Sequence, residues 1–529
     1  MLWGSDAATI FARADFVNAV LLLVPLKAFE VRVQRTLSNL IDEIGDTGRG
    51  GKLSIISFVE RKLNPNNEGF ASQTEMHCSR IRPLLRGSIV WSWSAACFGA
   101  AVTGHVESRV ADGCQLGAYR LPDGEIVDIR RSEGDTLRWR KFEGSTGVLH
   151  KKQNGSWTST LGWTDRPDGH TVSFSHCAGG EIEFDGEKAR RIPFDVTDTA
   201  FEGRGGVKLA GRLVLPMGKD PVPIVLLVHG AERESARESY ALQGLLPAEN
   251  IGAFVYDKRG TGGSKGTYTQ DFDILADDAV AAMREARRIA GAHSARIGYQ
   301  GGSQGGWVAP LAATRAPVDF VIVSFGLAVS VIDEDQQQVA LEMRLKGHTQ
   351  EQISKALEVA SAAEAVFESG FTEGFERFDA VRAKYRDEPW YRDLHGNYTH
   401  FILPYTEGEL REKGKDFIFG TPFRYDPMPT LRAVKTSQLW ILGEDDLEAP
   451  SAETSRRIKT LIVEGKPIAL ALFPHAEHGM TEYEVDPDGP RVSTRYAKVT
   501  SPCSATLPEM VDSRAPMDRV SSSNQRRWD

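Results

Sequence analysis

The chain is predicted to be an α/β protein: a mostly parallel sheet interrupted by a helical insertion and preceded by a small antiparallel β domain. Three observations predict it. Between about 112 and 190 short apolar–polar alternations recur with turn signals every eight to twelve residues. From Ile192 onward strands alternate with helices, and several strands are continuous apolar runs, as in sheets covered on both faces. Between about 330 and 428 that alternation stops and helical spacing takes over.

The elements follow in order. In the first domain, Gly117-Ala-Tyr-Arg-Leu121 and Glu125-Ile-Val-Asp-Ile-Arg130 flank the turn Pro122-Asp-Gly124, and Leu137-Arg-Trp-Arg140, Gly155-Ser-Trp-Thr158 and Thr171-Val-Ser-Phe174 continue the pattern. Its histidines, His150, His170 and His176, are expected to serve packing or the surface. In the second, Val207 to Leu215, Ile224 to Val228, Ala253 to Tyr256 and Phe320 to Phe325 are strands. Phe272, Leu275, Ala279, Met283 and Ala286 make one helical stripe within residues 272–290. In the insertion, Thr349 and Gln352 form a capping-box pair ahead of Ile353, Leu357, Ala360 and Phe367. Aromatic residues then crowd the stretch from Phe371 to Tyr405. As a lid they would line a pocket for a substrate with a hydrophobic part; alternatively they build the insertion's own core. Leu439 to Leu442 and Ile468 to Phe473 resume the sheet, and residues 485–529 are expected to form a disordered tail, with no convincing final helix.

With 529 residues, 41% of them hydrophobic, the chain is long enough for two or three domains. A net charge of −9 supplies no electrostatic reason to bind nucleic acid. No zinc-type Cys/His spacing, Walker loop or H-E-x-x-H occurs, so no metal or cofactor is expected. Residues 1–75 read as an upstream extension without catalytic importance. Residues 76–105 carry Arg80, Arg82 and Arg86, then the apolar run from Ile89 to Val102, then small residues, the pattern of a signal segment; an internal hydrophobic helix is the alternative. No stable membrane span is expected. With a signal segment the protein would be periplasmic or secreted, and otherwise cytoplasmic. In an exported protein Cys114 and Cys177 are free to form one disulfide; the alternative is two buried thiols.

The chemistry concentrates at Gly301-Gly-Ser-Gln-Gly305, a G-x-S-x-G turn between a strand and a helix. Such a turn lifts the Ser303 hydroxyl clear of the sheet, with glycines where side chains would collide. A serine nucleophile needs a histidine base, and the base an acid. In a parallel sheet both come from loops at the strands' C-terminal ends. Gly443-Glu-Asp-Asp446-Leu-Glu-Ala-Pro450 offers Asp446, far enough past the strand to turn inward; Glu444, Asp445 and Glu448 read as solvated neighbours. Pro474-His-Ala-Glu-His478-Gly479 offers His478, which Gly479 helps aim back, with His475 as the minor candidate. An oxyanion hole would use the backbone N–H groups of Ala231, after the strand ending at Val228, and of Gln304. His229 would brace that loop.

Leu227-Val-His-Gly230, Asp257-Lys-Arg-Gly-Thr-Gly262, the Ser303 turn, Gly443-Glu-Asp-Asp446 and Glu477-His-Gly479 together resemble the α/β-hydrolase superfamily over residues 195–484. The nearest branch is that of capped esterases related to prolyl-oligopeptidase-like and dienelactone-hydrolase-like enzymes. The resemblance implies a serine esterase acting on a small ester through an acyl-enzyme. Rival readings are a prolyl-oligopeptidase-like peptidase, a lactonase or acyltransferase, and a non-catalytic protein retaining the fold. No propeller-blade repeat accompanies the β domain, which favours esters over peptides.

Overall fold

The computed structural model describes residues 113–498 apart from 418, 487 and 488. The expected extension, the signal segment at 76–105 and the stretch from 499 onward lie outside the described residues.

The first domain is a closed antiparallel barrel. Strands β1 (Gly117–Arg120), β2 (Ile126–Arg131), β3 (Leu137–Lys141), β4 (Thr146–Lys151), β5 (Trp157–Leu161), β6 (Pro167–Ser173), β7 (Glu181–Phe184) and β8 (Glu187–Arg191) pair in sequence. Closure comes from β1 against β8, Tyr119 opposite Arg191. Tight turns join the first hairpins; Gly124, at φ 88°, occupies a conformation that side chains rarely adopt. Trp139, Trp157, Leu149 and Phe184 fill the interior, so the barrel is a packed core and not a channel. Cys114, just before β1, is disulfide-bonded to Cys177. His170 stacks edge-on against Trp139 and pairs with Asp185 at 2.6 Å.

The second domain is an eight-stranded sheet. Its strands are β9 (Phe194–Glu202), β10 (Lys208–Pro216), β11 (Val222–Val228), β12 (Gly252–Tyr256), β13 (Ser294–Gly302), β14 (Phe320–Ser324), β15 (Ser437–Gly443) and β16 (Ile468–Phe473). Their order is β16-β15-β14-β13-β11-β12-β10-β9, parallel from β16 to β12 and antiparallel at β10 and β9. All seven residues of β11 are buried, because helices cover both faces. α1 (Leu242–Ala248), α2 (Phe272–Ala290), α3 (Gly305–Arg315) and later α9 (Ser451–Val463) supply that cover. Asp271 caps α2 by accepting the Ile274 N–H at 3.0 Å.

The barrel docks on this domain through α1, where Leu245 packs against Ala118 and Ile126. Gly244 makes the approach possible: a Cβ there would lie 2.0 Å from the buried Asp128 carboxylate.

The insertion comprises α4 (Val331–Leu345), α5 (Gln350–Glu368), α6 (Phe375–Tyr385), α7 (Glu407–Lys413), shorter turns, and α8 (Met428–Ala433) leading into β15. Both halves of the Thr349–Gln352 capping box form. Phe367, Phe371, Phe375, Phe378, Tyr385 and Trp390 are buried in a cluster of the insertion's own, so these rings build its core.

After β16 the chain departs from expectation. It forms β17 (Ala476–Glu477), β18 (Thr481–Val485) and β19 (Arg491–Tyr496), a three-stranded antiparallel sheet. The expected tail therefore begins too early, since residues 491–496 are a strand. β19 is held by polar contacts to the barrel: Tyr496 N–H to Gly144 O at 2.8 Å, Trp163 N–H to Ser493 O at 2.9 Å, and Arg140 stacked 3.4 Å from the Tyr496 ring.

Candidate active site

Ser303 sits between β13 and α3 at φ 50°, in the left-handed region that a serine rarely occupies. That strain costs on the order of 1–3 kcal/mol and persists only because the surroundings over-determine it. The flanking glycines show how. A Cβ at Gly301 would lie 2.2 Å from the Gly305 carbonyl, and one at Gly305 would lie 2.4 Å from the Val228 carbonyl. No side chain fits at either position.

The structure brings the three sequence candidates together. Ser303 Oγ lies 3.1 Å from His478 Nε2, and His478 Nδ1 lies 3.0 Å from Asp446 Oδ2. Asp446 is buried at 2% exposure, and its other oxygen accepts the Ala449 N–H at 2.8 Å. With both oxygens engaged, the carboxylate fixes which imidazole nitrogen carries the proton. The ring of Phe325 packs edge-on against His478 at 5.0 Å. His475 is not part of this group: its side chain is 86% exposed and lies 3.4 Å from Asp445.

Ala231 follows β11 and Gln304 follows the serine, so both flank Ser303. A Cβ built on Gly230 would lie 3.2 Å from Ser303 Cβ, which measures how closely the two loops approach. His229 is buried; its Nε2 accepts the Lys258 backbone N–H at 3.1 Å. Burial, and then the nearby Lys258 cation, hold its pKa below the ordinary value, so it is a neutral brace.

Two carboxylates that sequence reasoning set aside or missed border the site. Glu448, taken as a solvated neighbour, has Oε1 3.8 Å from His478 Nε2. Glu334, on the first turn of α4, is buried, and burial followed by the Glu448 carboxylate pushes its pKa well above the ordinary value. His478 responds to both. Burial opposes its protonation, but Glu448, Asp446 and Glu334 outweigh burial and raise its pKa to about 10. The signal for Glu448 lay in its position two residues past Asp446; nothing in the sequence marks Glu334 as facing the site.

The serine turn follows β13, the carboxylate β15 and the histidine β16, all in one parallel sheet. Residues 219–393 match the family model described as serine aminopeptidase, S33. The chain has the α/β-hydrolase fold. That match and the fold support serine hydrolase activity. The matched segment holds Ala231, Ser303 and Gln304; Asp446 and His478 lie beyond it. No curated protein matches the hydrolase. Among solved structures it is similar to the Pyrococcus furiosus esterase Pf2001, at 15% identity over 54% of this chain and 84% of that one, TM-score 0.35. It is also similar to Pyrococcus horikoshii acylaminoacyl peptidase, at 14% identity over 66% and 51%, TM-score 0.34. Est1E from Butyrivibrio proteoclasticus, solved with ferulic acid, shares 15% identity over 53% and 91%, TM-score 0.32. Among the described residues of this α/β hydrolase no group of His, Cys, Asp and Glu could hold a metal ion, and no helix is long and apolar enough to cross a membrane.

Proposed function

We propose that this α/β hydrolase is a carboxylic ester hydrolase in which Ser303, His478 and Asp446 form the catalytic triad. The observation carrying the reading is the unbroken path from Ser303 Oγ through the imidazole to the buried Asp446 carboxylate, 3.1 Å and 3.0 Å long. In this mechanism Ser303 Oγ attacks the ester carbon while His478 Nε2 takes the hydroxyl proton. The Ala231 and Gln304 amides stabilise the oxyanion. Collapse expels the alcohol, protonated by His478, and leaves an acyl-serine. Water then adds, giving its proton to His478, and release of the acid restores Ser303.

A second reading, cleavage of an amide beside a free amino group, is favoured by the partly exposed Glu448 carboxylate beside His478, which a substrate ammonium could face. The test separates the readings. Wild type and Ser303→Ala are assayed on p-nitrophenyl esters, lactones and aminoacyl amides. The ester reading expects ester turnover that Ser303→Ala lowers by about 10³- to 10⁶-fold. Near-native activity of Ser303→Ala would refute the triad, and turnover confined to amides would favour the second reading.

Export belongs to the same proposal. The Cys114–Cys177 bond supports an oxidising compartment, and the sequence of residues 76–105 supports a signal segment. N-terminal sequencing of the mature protein tests it; a mature chain retaining residues 1–75 would refute it.

A further inference from the structure

The residue most deeply engaged with the nucleophile's surroundings, yet given no part in the chemistry, is Lys258. It follows β12 in the loop 257–264 and is only 3% exposed. A buried ammonium is costly unless its donors are satisfied. Here it donates to the Gly230 carbonyl and, at 3.2 Å, to Oε1 of the Gln304 side chain.

Those two acceptors are informative because of what else they belong to. The Gly230 carbonyl is the other end of the peptide group whose N–H is that of Ala231. In a planar trans peptide the carbonyl and the N–H point in opposite directions. Fixing the carbonyl toward Lys258 therefore fixes the Ala231 N–H away from it. A charge-assisted bond to the oxygen also draws electron density from the amide and strengthens its N–H as a donor. Gln304 carries the second N–H, and its side chain is tied to the same ammonium.

The rest of the loop is held from the other side. Glu232 accepts the Gly230 N–H at 3.2 Å and also the Tyr240 hydroxyl, while the Tyr268 hydroxyl donates to the Ala231 carbonyl. Burial opposes ionisation of Glu232, but contacts with His229 and Lys258 hold its pKa below the ordinary carboxylate range. A carboxylate so close to a developing oxyanion would work against it, and the Lys258 cation offsets that charge.

We propose that Lys258 is a positioning residue of the oxyanion hole, a single ammonium that orients both of its amide donors. The inference rests on the reading of Ser303 as nucleophile. An oxyanion hole acts on the transition state, so loss of Lys258 should be felt in turnover and not in substrate binding.

The experiment compares Lys258→Met, Gln304→Met and Ser303→Ala with wild type on p-nitrophenyl butyrate. The affinity of a trifluoromethyl ketone, which forms a tetrahedral oxyanion on the serine, is measured in parallel. Loss of one oxyanion donor costs about 10²- to 10³-fold in kcat, so a misplaced pair is expected to cost Lys258→Met about 10- to 100-fold. KM should stay within about threefold, and the ketone should weaken by the same factor as kcat. Gln304→Met, which keeps the bond to Gly230, should show the same pattern at smaller size. Near-native kcat in Lys258→Met, or a loss appearing in KM with ketone affinity unchanged, overturns the inference. Where Lys258→Met does not fold, an unchanged kcat in Gln304→Met overturns it. An active Ser303→Ala would instead refute the triad, so the two failures are distinguishable.

Discussion

Replacing Glu448 by glutamine should make the hydrolase faster at moderately alkaline pH, although a charged group is being removed from the site. As the proposed base, His478 must be neutral to accept a proton, and the neighbouring carboxylates raise its pKa to about 10. Glu448 is one of the carboxylates raising its pKa, with an oxygen 3.8 Å from Nε2. Two unit charges about 4 Å apart interact by about 1 kcal/mol in bulk water and about 4 at an effective dielectric of 20. The Glu448 side chain is 41% exposed, so the lower part of that range applies, about 1–2 kcal/mol. That corresponds to about one pK unit. The acid-side midpoint of kcat/KM, which reports the free enzyme's base, should therefore fall by about one unit in Glu448→Gln. At pH 8 the neutral fraction of His478, and with it kcat/KM, should rise by up to about tenfold. The assay is a pH–rate profile from 6 to 11 at two salt concentrations, and high salt should shrink the difference. An unchanged midpoint, or one that rises, would refute the electrostatic account.

The remaining predictions concern stability and support. His478 is easier to protonate folded than unfolded, so its contribution to stability is fully present below about pH 6.5 and is lost as the pH rises through about 10. Melting curves across that interval should decline, and a flat profile would count against the raised pKa. Glu334 is shifted in the same direction, chiefly by burial: its contribution is fully present below its ordinary pKa and is lost as the pH rises through its raised one. Glu334→Gln should accordingly raise Tm at pH 8 and leave it nearly unchanged near pH 4.5, read by calorimetry. The disulfide closes a sequence separation of 63, for which chain entropy predicts about 4 kcal/mol. The double Cys114→Ser, Cys177→Ser variant should lose barrel stability in urea while keeping its kcat.

How much of this was legible follows from the range of each cause. The Ser303 turn could be read because its constraints are local: Gly301 and Gly305 sit within two residues of the serine and face backbone atoms. Asp446 and His478 were readable because parallel strands deliver their following loops to one edge, whatever lies between. The hairpins of the barrel were legible from alternation and turns, whereas its closure depends on Tyr119 meeting Arg191, far apart along the chain. β19 was missed for a different reason. In Arg491-Val-Ser-Thr-Arg-Tyr496 only Thr494 is buried, so no apolar alternation exists to be seen. Glu334 escaped because a charged residue on a helix is normally solvated, and only the packed insertion buries it.

β19 shows why such elements matter to catalysis as well as to architecture. Arg491 donates to the Asp445 carbonyl at 2.7 Å and to the Glu477 carboxylate, whose other oxygen accepts the Leu447 N–H at 3.0 Å. Asp445 and Leu447 flank the proposed acid, and Glu477 precedes the proposed base. One guanidinium thus ties together the two loops whose separation sets the Asp446–His478 distance, and the same strand is anchored on the barrel. Arg491→Met would break both ties and strip the partly buried Glu477 of its cation, at a cost of about 1–3 kcal/mol. Loops released by that change should let His478 drift from Asp446, lowering kcat by about tenfold while KM changes little. Because the arginine's hydrogen bonds go to Asp445 and Glu477 and not to the proposed triad, a kcat like wild type in a stably folded Arg491→Met would mean that the loops hold their own geometry. The barrel would then be an appendage to the active site rather than part of its frame.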